Sequence, residues 1–198
     1  MAANQSKERI LAGAKELFLA RGYTATTVDA ICEKAGLTKG SFYYFFESKE
    51  DLGLGVLDWS LRQSTQMLAS ASYARILDPL EKAFAFLEHL EKCSPEIWRG
   101  GCLLGSFSLE LADTNSRMQQ AVSGMFQAVA DDFAKRLQPI AAQCTGKQAP
   151  SVSELADTLL GILEGSIILA KAHRDPTRIP KAIRAFRLSL ATLIAEPA

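Results

Sequence analysis

Apolar residues recur at helical spacing along almost the whole chain, and this periodicity constrains the fold more than any other feature. In the first segment the apolar residues repeat at i, i+1, i+4, i+7 and i+8, which places them on one face of a helix: Ile10, Leu11, Ala14, Leu17 and Phe18. No segment alternates apolar and polar residues between hairpin turns, so the sequence predicts no strands. The predicted fold class is all-α, with about nine helices.

Capping and turn signals predict where the helices begin and end. Gly22 ends the first helix, a Thr26–Asp29 capping pair starts the second, Gly36 stops it, and Thr38 caps a short third helix. Ser48 caps a fourth helix that reaches about Ala71, and a turn is predicted at Ser94–Pro95. Further helices are predicted at 79–93, 97–112, 116–142, 151–172 and 177–195. The predicted domains are a helix-turn-helix head at residues 1–47 and a helical-bundle body for ligand binding and dimerisation at residues 48–198.

Composition excludes several classes of protein. The chain has 198 residues, of which 48% are hydrophobic, so disorder is excluded as its main state. Twenty-two basic residues balance 22 acidic ones, so any nucleic-acid binding must come from a local surface. We expect a cytoplasmic protein, because charged residues interrupt every apolar stretch, including the one that starts at Ile10. Four cysteines without metal-ligand spacing predict no zinc site, no disulfide framework and no cofactor.

Residues 27–46 have the pattern of a helix-turn-helix. Cys32 supplies a small residue where two helices cross, Gly36 allows the tight turn, and Leu37 follows with an apolar side chain. The outward side of the third helix then presents hydroxyls, aromatic rings and a lysine, which suit phosphates and base edges. We predict these DNA contacts: Thr27, Thr38, Lys39, Gly40, Ser41, Tyr43, Tyr44 and Lys49. An ordinary helical hairpin with an exposed aromatic face, in an adaptor without DNA binding, is the alternative.

The segment from Thr27 to Leu52, TVDAICEKAGLTKGSFYYFFESKEDL, resembles the signature of the TetR family of transcriptional regulators. The resemblance extends over residues 8–55, and Cys32 stands where alanine is common in the family. It implies a homodimer with a three-helix DNA-binding head and a divergent ligand-binding body. It also implies a double-stranded operator, a small-molecule effector and, as a family-level expectation, repression.

The segment Gly101-Cys102-Leu103, followed by Ser108 to Ala112, resembles a TetR subgroup of repressors that respond to electrophiles or unsaturated small molecules. That subgroup includes the N-ethylmaleimide-responsive and acrylate-responsive repressors, and the resemblance implies that Cys102 is the sensitive thiol. Two other roles stay open, a buried structural Cys102 and a non-covalent hydrophobic ligand. The candidate sensor and ligand residues are Cys102, Trp59, His89, Trp98, Phe107, Glu110, Phe126 and Glu164. For Glu110 and Glu164 an internal partner is the alternative.

The last two predicted helices are apolar on more than one side, which favours burial between two copies of the chain. The predicted dimer interface consists of Leu159, Leu160, Leu163, Ile167, Ile183, Phe186 and Leu190, with burial in the chain's own core as the alternative.

An enzyme is not predicted, because phosphate-binding loops, nucleophile elbows and metal-ligand spacings are missing from the sequence. The predicted function is a dimeric one-component transcriptional regulator, and the family resemblance implies that it acts as a repressor.

Overall fold

The computed structural model describes residues 2–146 and 149–195, with side chains described for 4–146 and 149–194. Over these residues it contains nine α-helices, one short 3-10 helix at Ser72–Arg75 and no strand, which confirms the all-α prediction. The α-helices are α1 (Ala2–Arg21), α2 (Val28–Ala35), α3 (Lys39–Phe45), α4 (Lys49–Ala69), α5 (Pro79–Ile97), α6 (Leu103–Leu111), α7 (Ser116–Ala141), α8 (Val152–His173) and α9 (Arg178–Ala195). Within the described part of the chain, no helix has the length and apolar character needed to cross a membrane.

Local capping explains the bounds of the helix-turn-helix. Gly36 adopts a left-handed conformation with φ 62°, and its N–H bonds the last turn of α2. Thr38 caps α3 as predicted, through a bond from the Ser41 N–H. The predicted cap of α2 is wrong by one residue, since Thr27 accepts the Ala30 N–H at 3.2 Å. Thr26 is buried instead, and its hydroxyl donates to the Gly22 carbonyl at 2.7 Å.

The predicted turn at Ser94–Pro95 is also wrong, because α5 continues through Pro95 to Ile97. A proline inside a helix leaves the carbonyl four residues earlier without its usual N–H donor. Here that carbonyl belongs to Glu91, and the buried Ser94 hydroxyl donates to it at 2.9 Å. The helix predicted to start near residue 97 therefore starts only at Leu103, after a loop that contains Gly101 at φ 116°.

The chain forms two compact units. The first comprises the residues up to Thr65 together with Gly100–Met125, and the second comprises Gln66–Arg99 and the chain from Phe126 onward. The first unit thus includes the helix-turn-helix and α6, and it extends beyond the boundary predicted at residue 47. Its core contains a cluster of aromatic rings, in which Phe107 of α6 lies 5.4 Å from Phe18 and 5.1 Å from Tyr23, centroid to centroid. The division of labour between a head and a body stays a prediction.

In the second unit, α9 packs against α5 and α8, and this packing corrects the predicted dimer interface. Six of the seven predicted residues are buried within the single chain: Leu159, Leu163, Ile167, Ile183, Phe186 and Leu190. Leu160 is half-buried. The large apolar side chains that remain exposed on the described parts of these helices are Ile168, Leu169, Leu188 and Leu193. Both helices have apolar residues on more than one face. The faces predicted to contact a second copy are the ones that pack inside the single chain.

Candidate nucleic-acid interface and effector residues

The third helix combines a buried anchor with an exposed aromatic surface. Phe42 is fully buried, whereas the neighbouring Tyr43 and Tyr44 are 57% and 76% exposed. Thr38, Lys39 and Gly40 are exposed at the start of the same helix, and Ser41 is half-buried. Each tyrosine ring contacts one neighbouring ring of α3, Tyr43 that of Phe42 and Tyr44 that of Phe45, but most of both side chains lies in solvent. The structure therefore brings the predicted hydroxyl, lysine and tyrosine residues of α3 together on one outward surface, which we call the α3 surface.

Exposed polar contacts hold parts of this surface in place. The Lys39 ammonium lies 2.7 Å from the Asp29 carboxylate of α2, and both side chains are largely exposed. The hydrogen bond from Lys39 to Asp29, together with the Asp29 charge, raises the pKa of Lys39. Thr27 is exposed at the start of α2, where it serves as the helix cap. An exposed ion pair of this kind is weak, so a phosphate group can compete for Lys39.

Lys49 has a different position from the one predicted. Its ammonium group donates to the carbonyls of Tyr23, Thr24 and Thr26 at 3.1, 3.4 and 3.0 Å. It also lies 4.3 Å above the Tyr23 ring. Burial lowers the pKa of Lys49, and the Glu110 carboxylate opposes this effect. With its three donors directed at backbone carbonyls, Lys49 stabilises the turn between α1 and α2, and we assign it a structural role in place of a phosphate contact.

Glu110 has the internal partner that the sequence left open. Its carboxylate accepts the backbone N–H groups of Tyr23 and Thr24 at 3.0 and 2.9 Å. These two N–H groups follow the end of α1, where the helix has stopped and the turn needs acceptors. Sequence reasoning identified Glu110 as a carboxylate among apolar residues, but nothing in the sequence indicated a partner more than 80 positions away. Glu110 therefore stabilises the turn before the helix-turn-helix, and we assign it this structural role in place of ligand binding.

Cys102 lies at the start of α6. It is half-buried, it occupies the N-cap position, and its sulfur accepts the Gly105 N–H at 3.5 Å. The positive end of a helix favours a thiolate. Burial raises the pKa of the other three thiols, those of Cys32, Cys93 and Cys144, which makes them poorer nucleophiles. Among the cysteines, Cys102 is thus the one whose position at a helix N-terminus suits electrophile chemistry.

The remaining ligand candidates lie in both units. Trp59 is half-buried in the first unit, and Phe107 there belongs to the aromatic core. The second unit holds the half-buried residues His89, Trp98, Phe126 and Glu164. The predicted ligand residues thus do not all lie in one unit. Residue type alone does not distinguish a pocket residue from a core residue, and most aromatic side chains of a helical protein belong to the core.

His89 has an unusual environment within the second unit. Its Nε2 atom is buried and has no hydrogen-bond partner among the described residues, and its ring lies 5.4 Å from that of Tyr73. Tyr73 in turn accepts a hydrogen bond from Arg136 at 2.7 Å, and Arg136 is paired with Asp132. Sequence reasoning missed Tyr73 and Arg136, since neither residue is marked by a motif. A buried nitrogen without a partner is costly, so His89 remains a candidate contact for a polar group of a ligand.

Two family matches cover most of the chain. Residues 10–55 match the family described as bacterial regulatory proteins, tetR family, and residues 79–186 match the family described as tetracyclin repressor-like, C-terminal domain. The chain belongs to the TetR family. The relatives that this chain matches are transcriptional regulators and not enzymes. Membership of the family implies DNA binding through the helix-turn-helix.

Individual relatives agree with this assignment. The HTH-type transcriptional repressor DhaR of Mycobacterium sp. (strain GP1) is 29% identical over 180 residues, which cover 88% of this chain and 87% of DhaR. The HTH-type transcriptional repressor NemR of Escherichia coli (strain K12) is 27% identical over 120 residues, 60% of each chain. A TetR transcriptional regulator from Chloroflexus aurantiacus has the same fold, with a TM-score of 0.80 at 24% identity and 96% coverage of both chains.

Proposed function

We propose that this TetR-family chain is a dimeric one-component repressor that binds a palindromic operator and is released by a small-molecule effector. The observation that carries the proposal is the α3 surface, where Tyr43 and Tyr44 are exposed beside Lys39 and a helix N-terminus. In a dimer, two such helices enter successive major grooves about 34–36 Å apart. Repression is supported by the similarity of the chain to the transcriptional repressors DhaR and NemR.

Fluorescence anisotropy with labelled DNA from upstream of the chain's own gene tests operator binding. We expect tight binding that weakens as salt rises, because phosphate contacts release counterions. Tyr43→Ala is expected to weaken binding about tenfold, since a base-edge or methyl contact is worth on the order of 1–3 kcal/mol. Tyr43 is 57% exposed and contacts the buried Phe42 only edge-on, so the variant should keep its oligomeric state and lose little thermal stability. Unchanged affinity in a folded Tyr43→Ala variant would remove the α3 surface from the interface.

Dimerisation is supported by the outward faces of α8 and α9. Ile168 and Leu188 are 55% and 51% exposed. Gly161 and Gly165, one turn apart on α8, have open space where a side chain would begin, which allows a second backbone to approach closely. An apolar face with such glycines is suited to an isologous helix-on-helix interface. The proposed interface thus retains α8 and α9 but uses the exposed residues in place of the buried ones.

Release by an electrophile at Cys102 is the first proposed mode of induction. It is supported by the position of the thiol at the N-terminus of α6 and by the relation to NemR. The thiolate would add to the alkene of N-ethylmaleimide, forming a thioether, and solvent would supply the proton. We expect the reagent to release operator DNA from the wild type and from Cys144→Ser, but not from Cys102→Ser. Retained release in Cys102→Ser would move sensing elsewhere.

A non-covalent ligand near His89 is the second proposed mode, and the buried Nε2 atom favours it. An acceptor or donor on a small ligand would satisfy that nitrogen, while Tyr73 and Phe86 would contact its apolar part. Acrylate is a suitable probe, since it is a small unsaturated carboxylate. Under this mode acrylate releases the operator from Cys102→Ser but not from His89→Phe. Equal release from both variants would exclude His89 as the ligand contact.

A further inference from the structure

The turn between α1 and α2 is held from two sides by side chains of opposite charge. On one side the Glu110 carboxylate of α6 accepts the N–H groups of Tyr23 and Thr24 at 3.0 and 2.9 Å. On the other side the Lys49 ammonium of α4 donates to three carbonyls of the same turn. The N–H groups of the turn thus face an anion, and its carbonyls face a cation. All these residues belong to the first compact unit.

The approach of Glu110 to the turn depends on Gly22. This residue has φ 88°, and a Cβ atom built on it would lie 2.7 Å from Oε1 of Glu110. Any larger side chain would therefore displace the carboxylate as well as strain the backbone. Phe107, three residues before Glu110 on the same face of α6, packs against Phe18 and Tyr23. Helix α6 is thus fastened to the end of α1 by a ring cluster and by a carboxylate.

The turn leads directly into the helix-turn-helix. It ends at Thr27, the cap of α2, and α2 packs with α3 to orient the α3 surface. At the other end of α6 lies Cys102, the residue that caps this helix. Glu110 lies eight positions after Cys102, which is about 12 Å along a helix. A short helix of this kind transmits a shift of one end to the other, because its hydrogen bonds keep its length constant.

From these contacts we infer that Glu110 is a positioning residue through which α6 controls the order of the α1–α2 turn and, with it, operator affinity. The second half of this inference rests on the proposed function. The two bonds from Tyr23 and Thr24 to Glu110 order the turn, and an ordered turn fixes the entry into α2. When α6 shifts or frays, the N–H groups of Tyr23 and Thr24 lose their acceptor and the entry into α2 loosens. This route runs through α6 itself and does not require a movement of α4.

Amide hydrogen exchange of the full chain, resolved at Tyr23 and Thr24, tests the contact without any DNA. Glu110→Gln replaces one of two accepting oxygens with a donor, so we expect exchange at these two amides to become about tenfold faster. Glu88→Gln is the matched control, because it makes the same change of charge at an exposed glutamate of the second unit, which pairs with Lys92 four residues later. Unchanged exchange at Tyr23 and Thr24 in a folded Glu110→Gln variant would overturn the inference.

A second pair of variants tests control by α6. Leu109 is 82% exposed, so Leu109→Gly weakens the helix through its backbone while removing little packing. We expect about fivefold faster exchange at Tyr23 and Thr24 in Leu109→Gly and no change in Leu109→Ala, since alanine keeps the helix propensity. In the Glu110→Gln background, Leu109→Gly should add no further acceleration. An equal, independent acceleration in that background would show that α6 acts on the turn without Glu110 and would overturn the inference.

Operator affinity completes the test and separates the two possible failures. We expect Glu110→Gln to weaken operator binding about fivefold relative to Glu88→Gln, with the dimer intact. Faster exchange with unchanged operator affinity would overturn the coupling to DNA. If the wild type bound no operator at all, the proposed function would fail, and the exchange measurements would still decide whether Glu110 holds the turn.

Discussion

The side chains of the α3 surface differ in what they contribute. Tyr43 and Tyr44 each contact one neighbouring ring and leave most of the side chain in solvent, whereas Lys39 already has a charged partner in Asp29. On binding DNA, Lys39 exchanges one carboxylate for a phosphate, so its effect on affinity is modest. Its effect on salt dependence is larger, because each phosphate contact releases a condensed counterion.

Lys39→Ala is therefore expected to lower the slope of log affinity against log salt by about 1 while weakening binding similarly on every sequence. Anisotropy titrations at four salt concentrations measure this slope. Lys92→Ala is the matched control, since Lys92 is an exposed lysine paired with a glutamate four residues earlier in the second unit. The same slope in both variants would show that Lys39 does not contact a phosphate.

Glu50 provides a prediction about pH. It accepts hydrogen bonds from Asn115 at 2.9 Å and from Arg117 at 2.7 Å, and these bonds lower its pKa from the ordinary value of 4.5. A carboxylate with a depressed pKa in the folded state stabilises the protein above its unfolded pKa, and this contribution disappears as the pH falls through the folded value. The contacts tie the start of α4 to the start of α7 within the first unit.

Glu50→Gln should thus lower the urea midpoint at pH 7, and the difference from the wild type should shrink as the pH falls below 4.5. Urea unfolding between pH 7 and pH 3 measures both effects, with the exposed Glu96→Gln as the control. A difference that stays constant over this pH range would exclude the ionised Glu50 carboxylate as its source.

Helix α5 shows how one hydroxyl can extend an element. Pro95 cannot donate to the Glu91 carbonyl, and the buried Ser94 hydroxyl takes its place. We expect Ser94→Ala to lower the free energy of unfolding by about 1–3 kcal/mol, because it leaves a carbonyl without a donor.

Ser189→Ala is the control for this prediction, since the exposed Ser189 hydroxyl donates to the Ala185 carbonyl, four residues earlier, at a point of α9 where no proline removes the N–H donor. Its cost should stay within about 0.5 kcal/mol. Chemical denaturation measures both variants, and equal costs would mean that the Ser94 hydroxyl does not compensate for Pro95.

For the whole molecule, the proposed dimer requires that exposed faces of α8 and α9 pack against a second copy. Ile168→Glu places a charge on the exposed face and is expected to produce monomers, because burying an unpaired carboxylate is costly. Leu77→Glu is the control, since Leu77 is 95% exposed and lies outside these helices. Size-exclusion chromatography with light scattering measures the mass. An Ile168→Glu variant that remains dimeric would place the interface elsewhere.

The predicted and observed helices agree wherever local signals decide. Gly22 and Gly36 adopt left-handed conformations, and Thr38 caps α3 as its position before an apolar run predicts. These features depend on residues within four positions of one another, so the sequence alone determines them. The helix-turn-helix signature has the same character, since its small residue, glycine and apolar residue act at short range. For that reason the family followed from residues 8–55, whereas the fold class followed from the helical periodicity of the whole chain.

Only the tertiary structure decided which side chains contact groups that are distant in sequence. Helical periodicity shows that α8 and α9 are apolar on several sides, but it cannot tell which side the chain's own α5 covers. Likewise, Lys49 and Glu110 have the residue types of a phosphate contact and a ligand anchor, and both instead hold one turn. Their roles follow from the folded path of the chain, which brings the backbone groups of residues 23–26 to both side chains. A charged side chain takes whichever partner desolvation makes most favourable, and only the folded chain determines which partners are within reach.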